Sequence, residues 1–167
     1  MGPMEYENGN TWRIALQERL KSLKIHFFNP YSKPFIEYFS EDESARMDLK
    51  GKMAARNFEP VHEVMKKVRA DDLRLCDISD FGIARIVPTV PTFGTMEEIS
   101  WFVRCKKPLF IYIEGGKEKT PLWLTGMIPD CYIFDSQAEV EEVIIKISKG
   151  SIPMDDSRWR LLRKEFR

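Results

Sequence analysis

Histidine is nearly absent from this chain of 167 residues, at two positions (His26 and His62), and cysteine is sparse, at three (Cys76, Cys105 and Cys131). A structural zinc site needs about four such ligands at close spacing, so a metal centre is not expected. The cysteines are odd in number and form no CxxC pair, which fits reduced thiols and not a disulfide framework. Neither sign of charge is in excess, since Lys plus Arg and Asp plus Glu both number 26. No whole-molecule field therefore favours polymeric nucleic acid or an anionic membrane, and any anion site must be local. Long hydrophobic runs are also missing. Leu109–Ile113 is typical of those present, far short of the roughly 20 residues of a membrane helix, and no signal-peptide core opens the chain. The expectation is a cytoplasmic protein. There is no internal repeat and no low-complexity tract.

What is present is a globular balance, 43% hydrophobic and 31% charged, in a chain long enough to bury one substantial core. Trp12, Leu16, Leu20 and Leu23 recur at spacings of four, four and three, predicting an amphipathic helix over 11–23. A short apolar run, Ile25–Phe28, reads as a strand ending at Asn29-Pro30. The span Glu41–Cys76 is rich in helix formers and reads as two helices, with Pro60 able to open the second. Strands are expected at Gly82–Val87, Leu109–Ile113 and Tyr132–Phe134, and helices at Thr95–Cys105 and Ala138–Ser148. Alternating strands and helices imply an α/β fold around a parallel, doubly wound sheet, whose ligands bind beyond the carboxyl ends of the strands. The loops at 2–10, 29–40, 88–95 and 114–130 are then the places for chemistry. Residues 1–149 form the expected domain. Residues 150–167 read as a linker (Gly150–Asp156) and a terminal amphipathic helix with Trp159, Leu162 and Phe166 on one face, for docking on the domain or a neighbouring subunit.

The most informative segment is Pro91-Thr92-Phe93-Gly94-Thr95-Met96-Glu97-Glu98-Ile99, between an expected strand and helix. Taken locally, Thr95-x-x-Glu98 is a capping box, with Thr95 capping the helix and Glu98 reaching back to the cap amide. Gly94 permits close backbone approach, and first-turn amides can bind a phosphate or a sugar hydroxyl.

Taken in order, Gly2-Pro3-Met4, Trp12-Arg13 and Leu20, Asn29-Pro30, Asp72, Asp80, Gly94-Thr95-x-x-Glu98 and Lys107-Pro108 resemble the nucleoside 2-deoxyribosyltransferase family, from the first residues to about Ser148. The resemblance implies a flavodoxin-like three-layer α/β domain that cleaves the N-glycosidic bond of a nucleoside or its 5'-monophosphate. Glu98 would be the nucleophile, a carboxylate suited to an oxocarbenium-like transition state and to leaving in the second step. Asp72 would assist the departing base as general acid; without the resemblance it reads as a helix-end or surface aspartate, and Asp80 as a turn or cap residue. Gly2, Pro3, Met4, Thr92, Gly94 and Thr95 would line the substrate site. No metal or organic cofactor is implied, and family members assemble as dimers or larger oligomers.

Two departures qualify the resemblance. Six residues before Glu98, where the transferases usually carry an aspartate, this chain has Thr92, in a Pro91-Thr92-Phe93-Gly94 setting similar to the serine of the related 2'-deoxynucleoside 5'-monophosphate N-hydrolases. A hydroxyl beside helix-start amides can donate to a phosphate that a carboxylate would repel; otherwise Thr92 is a loop residue. The hydrophobic strand that leads into Gly-Pro-Met in the family is not seen before Met1. A non-catalytic nucleotide-binding or interaction protein that kept the fold is the alternative. Gly115-Gly116-Lys117 lacks the spacing of a phosphate loop and reads as a solvated turn. Trp12 fits the core face of its helix, and Trp123 is a candidate pocket lid.

Overall fold

The computed structural model describes residues 1–2, 9–31 and 43–152. Its α-helices there are α1 (Thr11–Leu20), α2 (Glu43–Ala54), α3 (Phe58–Ile78), α4 (Phe93–Arg104), α5 (Leu122–Thr125) and α6 (Gln137–Ser148). The strands are β1 (Gly82–Ile86), β2 (Leu109–Ile113) and β3 (Ile133–Phe134). The chain forms two compact units, Met1–His26 with Ser79–Arg167, and Phe27–Ile78.

The first unit is α/β. Its described strands make a parallel sheet in the order β1-β2-β3, with Gly82 opposite Leu109, Ile86 opposite Ile113 and Ile111 opposite Ile133. Every residue of β2 is buried, the uninterrupted apolar run expected of a parallel strand covered on both sides. Alternation sends Leu109, Ile111 and Ile113 to one face and Phe110 and Tyr112 to the other. On the first face, a Cβ added to Gly82 would lie 2.8 Å from Leu109 Cδ1 and 3.0 Å from Phe102 Cζ of α4; the missing side chain lets α4 close on β1. On the second, the Tyr112 ring meets Trp12 of α1 edge to face at 5.8 Å, and its hydroxyl donates to Gln137 Oε1 of α6 at 3.4 Å. Leu124, Tyr132 and Val140 complete the core with no exposed surface, each such side chain contributing about 1.5–3 kcal/mol by burial.

The ends of α6 follow local chemistry. Ser136 caps it by accepting from the Glu139 amide at 3.3 Å, while Glu139 Oε2 accepts from the Asp135 amide at 3.1 Å. The helix stops at Gly150, whose φ of +69° suits the left-handed residue after a helix. The amino terminus lies beside β1. The Met1 ammonium donates to the Ile83 carbonyl at 2.8 Å, and the Arg85 amide donates to the Met1 carbonyl at 3.0 Å, the two bonds by which a parallel neighbour flanks Ala84.

The second unit is helical. A residue in the left-handed region, Arg56 at φ 56°, ends α2, and Pro60 sits in the first turn of α3, where its missing N–H costs no helical bond. Leu49, Val68, Leu73, Leu75 and Cys76 are buried. The strand expected at Ile25–Phe28 is not one: residues 25–29 are irregular, Ile25 donates back to Leu23, and the Tyr31 amide donates to Asn29 Oδ1 at 3.1 Å, making Asn29-Pro30-Tyr31 a side-chain-closed turn. Four apolar residues without a partner ladder do not make a strand. No described helix is long and apolar enough to cross a membrane. Residues 153–167, with Trp159, Leu162 and Phe166, lie outside the described residues.

Candidate functional site

The carboxyl ends of β1 and β2 are tied by the Glu114 amide, which donates to the Ile86 carbonyl at 2.8 Å. From this edge the chain runs through a short turn, Val90 donating to Val87, into α4. The helix begins at Phe93, two residues before the start expected from Thr95, and the Thr92 carbonyl takes the first helical bond from Met96 at 3.0 Å. The capping-box reading of Thr95-x-x-Glu98 is thereby corrected. Thr95 is inside the first turn and 6% exposed, and Glu98 belongs to the second turn. Phe93 and Gly94 already belong to the helix, so the chain is helical before Thr95 is reached.

Thr92 is the N-cap, at φ −130° and ψ 70°, and its hydroxyl makes no cap bond. The unbonded first-turn amides and the positive end of the helix dipole lie at this end of α4. Gly94 and Glu98 are four apart and share a face of α4, whereas Thr95 and Ile99 turn inward and are buried. Nothing lies within 4 Å of a Cβ built on Gly94. Glu98, one turn further along the helix, is half-buried.

Gly94→Ala therefore separates packing from function. Alanine meets no atom there and is about 0.5–1 kcal/mol better than glycine inside a helix, so thermal unfolding should rise by a few degrees. Any activity that needs ligand to approach Glu98 across Gly94 should fall. A variant that is both more stable and fully active would show that the open turn has no use.

The other expected site residues are dispersed. Gly2 adjoins β1 at φ +151°, and a Cβ there would lie 3.1 Å from the Arg85 carbonyl oxygen and 3.2 Å from Trp12 Cζ2, so close packing alone requires glycine. Pro3 and Met4 lie outside the described residues. Asp72 is on α3 in the second unit, half-buried with its Oδ1 covered, and so is neither a helix-end nor a surface residue. Asp80 stands exposed in the bend before β1. Trp12 is a core residue, 7% exposed, and Trp123 on α5 is 81% exposed, as is Phe93 at 87%. Gly115-Gly116-Lys117 is a turn: both glycines have positive φ, the Lys117 amide donates to Asp135 Oδ1 at 2.7 Å, and its ammonium donates to the Asp130 carbonyl at 2.7 Å.

A polar cluster on the Tyr112 face was not anticipated. Arg85, buried in β1, places Nε 3.1 Å and Nη2 3.0 Å from Glu114 Oε2. Arg13 of α1 is also buried; it donates to the Gly9 carbonyl and, at 3.2 Å, to that of Gly2. Glu141 of α6 accepts from Gln137 at 2.8 Å and from Arg19 at 3.0 Å. Burial pushes the Tyr112 phenol well above its ordinary value, with Arg85 opposing that rise. The available signal was Arg85 itself, a charge inside an apolar strand. Among the described residues no group of three or more His, Cys, Asp or Glu could hold a metal ion. No protein-family model and no curated protein matches the chain.

Proposed function

We propose that this protein is an N-glycosidase of the nucleoside 2-deoxyribosyltransferase type, acting on a 2'-deoxyribonucleoside or its 5'-monophosphate. The observation that carries the reading is Glu98, half-buried on a helix that starts at the carboxyl edge of a parallel sheet. A Glu98 carboxylate oxygen attacks C1' of the sugar as the C1'–N bond breaks, and the bond pair leaves on the base, which takes a proton from water. Water or a second base then attacks C1', the ester bond breaks and Glu98 returns as carboxylate, two inversions giving net retention. Thr92 and the first-turn amides hold the 5'-phosphate, with Gly94 and Thr95 beside them; Gly2 borders the sugar. The chemistry calls on no metal or organic cofactor.

The wider reading is a flavodoxin-like, doubly wound, three-layer domain, supported by the parallel β1-β2-β3 order and by α4 meeting the sheet through Phe102 while α1 and α6 meet Tyr112. A cytoplasmic homo-oligomer that binds no polymeric nucleic acid fits the balanced charge. The test is incubation with a panel of deoxynucleosides and their monophosphates, with and without an acceptor base, and chromatographic scoring of free and exchanged base. Binding of a monophosphate with no base released from any member would instead identify a non-catalytic nucleotide-binding protein.

A further inference from the structure

Arg85 and Glu114 are the one charged pair that the described sheet presents at its carboxyl edge. A guanidinium is costly to bury, and a paired one is no better for stability than a well-packed apolar residue. Here it fixes a carboxylate. Both donors fall on Oε2, and Oε1 accepts no hydrogen bond among the described residues, on a side chain 42% exposed. The backbone beneath is fixed as well, the Glu114 amide being bonded to Ile86 and the Gly116 amide to the Ile113 carbonyl. An acceptor held this firmly beside open solvent is pre-organised for a ligand. Arg85, Tyr112 and Glu114 belong to the sheet face met by α1 and α6, whereas Phe102 brings α4 to the other face. Glu98 and Glu114 therefore approach the carboxyl edge from opposite faces.

Resting on the glycosidase reading above, we propose that Glu114 is a substrate-binding carboxylate whose Oε1 accepts a hydrogen bond from the 3'-hydroxyl of the sugar, with Arg85 as its positioning residue. The assignment fits the substrate: the base departs from the β face of the furanose ring, so Glu98 attacks C1' on the α face, which also carries the 3'-hydroxyl, and the two carboxylates meet that one face at different carbons. It also gives the site a sugar specificity that neither Glu98 nor the helix start supplies.

The test compares kcat/KM for a 2'-deoxynucleoside monophosphate and its 2',3'-dideoxy counterpart, in the wild-type protein, in Glu114→Ala and in the double variant Arg85→Met/Glu114→Ala. The double variant leaves no charge buried without its partner and stands in if the single variant does not fold. The wild type should prefer the 3'-hydroxyl substrate by at least about tenfold, the worth of one charge-assisted hydrogen bond, and the variants should bring that ratio to within about twofold of unity. Base release at equal rates from both sugars by the wild type, or an undiminished preference in either folded variant, overturns the Glu114 assignment alone. Release from neither sugar overturns the glycosidase reading, and this inference with it.

Discussion

Glu98→Gln should reduce base release by about three orders of magnitude or more, the scale on which loss of a covalent nucleophile is felt, while the protein stays folded. Glutamine keeps the shape of the side chain but cannot form the glycosyl ester. Because α4 starts at Phe93 and not at Thr95, Glu98 is not a capping partner, and its replacement costs no helix cap. A change at this half-buried position is expected to alter stability by on the order of 1 kcal/mol. The decisive pair of measurements is single-turnover base release and a thermal melt on one preparation. Mass spectrometry of the wild type quenched with substrate should also show a sugar adduct on the peptide containing Glu98. Full activity in Glu98→Gln would remove the nucleophile and leave Glu98 as an ordinary helix residue.

Thr92→Asp should move stability and activity in opposite directions. The Thr92 hydroxyl makes no cap bond, and aspartate is the stronger cap, its charge complementing the helix dipole, so a gain of about 0.3–1 kcal/mol is expected. In the same position a carboxylate would repel the 5'-phosphate. Hydrogen bonds to charged groups are worth about 1.5–3 kcal/mol, so nucleotide turnover should fall at least roughly tenfold while nucleoside turnover changes less. The wild type should have the higher kcat/KM for monophosphates and the variant for nucleosides. A wild type that ignores monophosphates but exchanges bases between deoxynucleosides would make Thr92 only the residue before a helix.

Periodicity made the long elements legible before any coordinates. Trp12, Leu16 and Leu20 mark the buried side of α1, and the unbroken apolar run Leu109–Ile113 is β2. Elements that depend on distant partners were not legible. Ile25–Phe28 has the composition of a strand, but pairing decides, and no ladder forms there. Thr95-x-x-Glu98 and Ser136-x-x-Glu139 look alike as text, yet only the second caps a helix, because α4 starts upstream of Thr95, at Phe93. For the candidate site, motif order could place Thr92, Gly94, Thr95 and Glu98 on one helix start. It could not reveal the Arg85–Glu114 pair, whose two side chains are 29 positions apart and meet only through the β1–β2 register.

The contact between Arg19 and Glu141 spans 122 positions, and this bears on the order in which the molecule assembles. β1, α4 and β2 are consecutive, so their contacts close small loops. Docking α1 beside α6 closes a far larger one, whose entropic cost must be met before the contact is rewarded. At ten residues, α1 is too short to hold its shape alone in water. It therefore becomes helical as it docks, after the sheet exists to receive Trp12. When α1 opens, it takes with it Arg13 and the grip of that side chain on the Gly2 and Gly9 carbonyls. Amides of α1 should accordingly exchange with solvent well ahead of those of β2, a hierarchy of local openings built into one early helix and one late one.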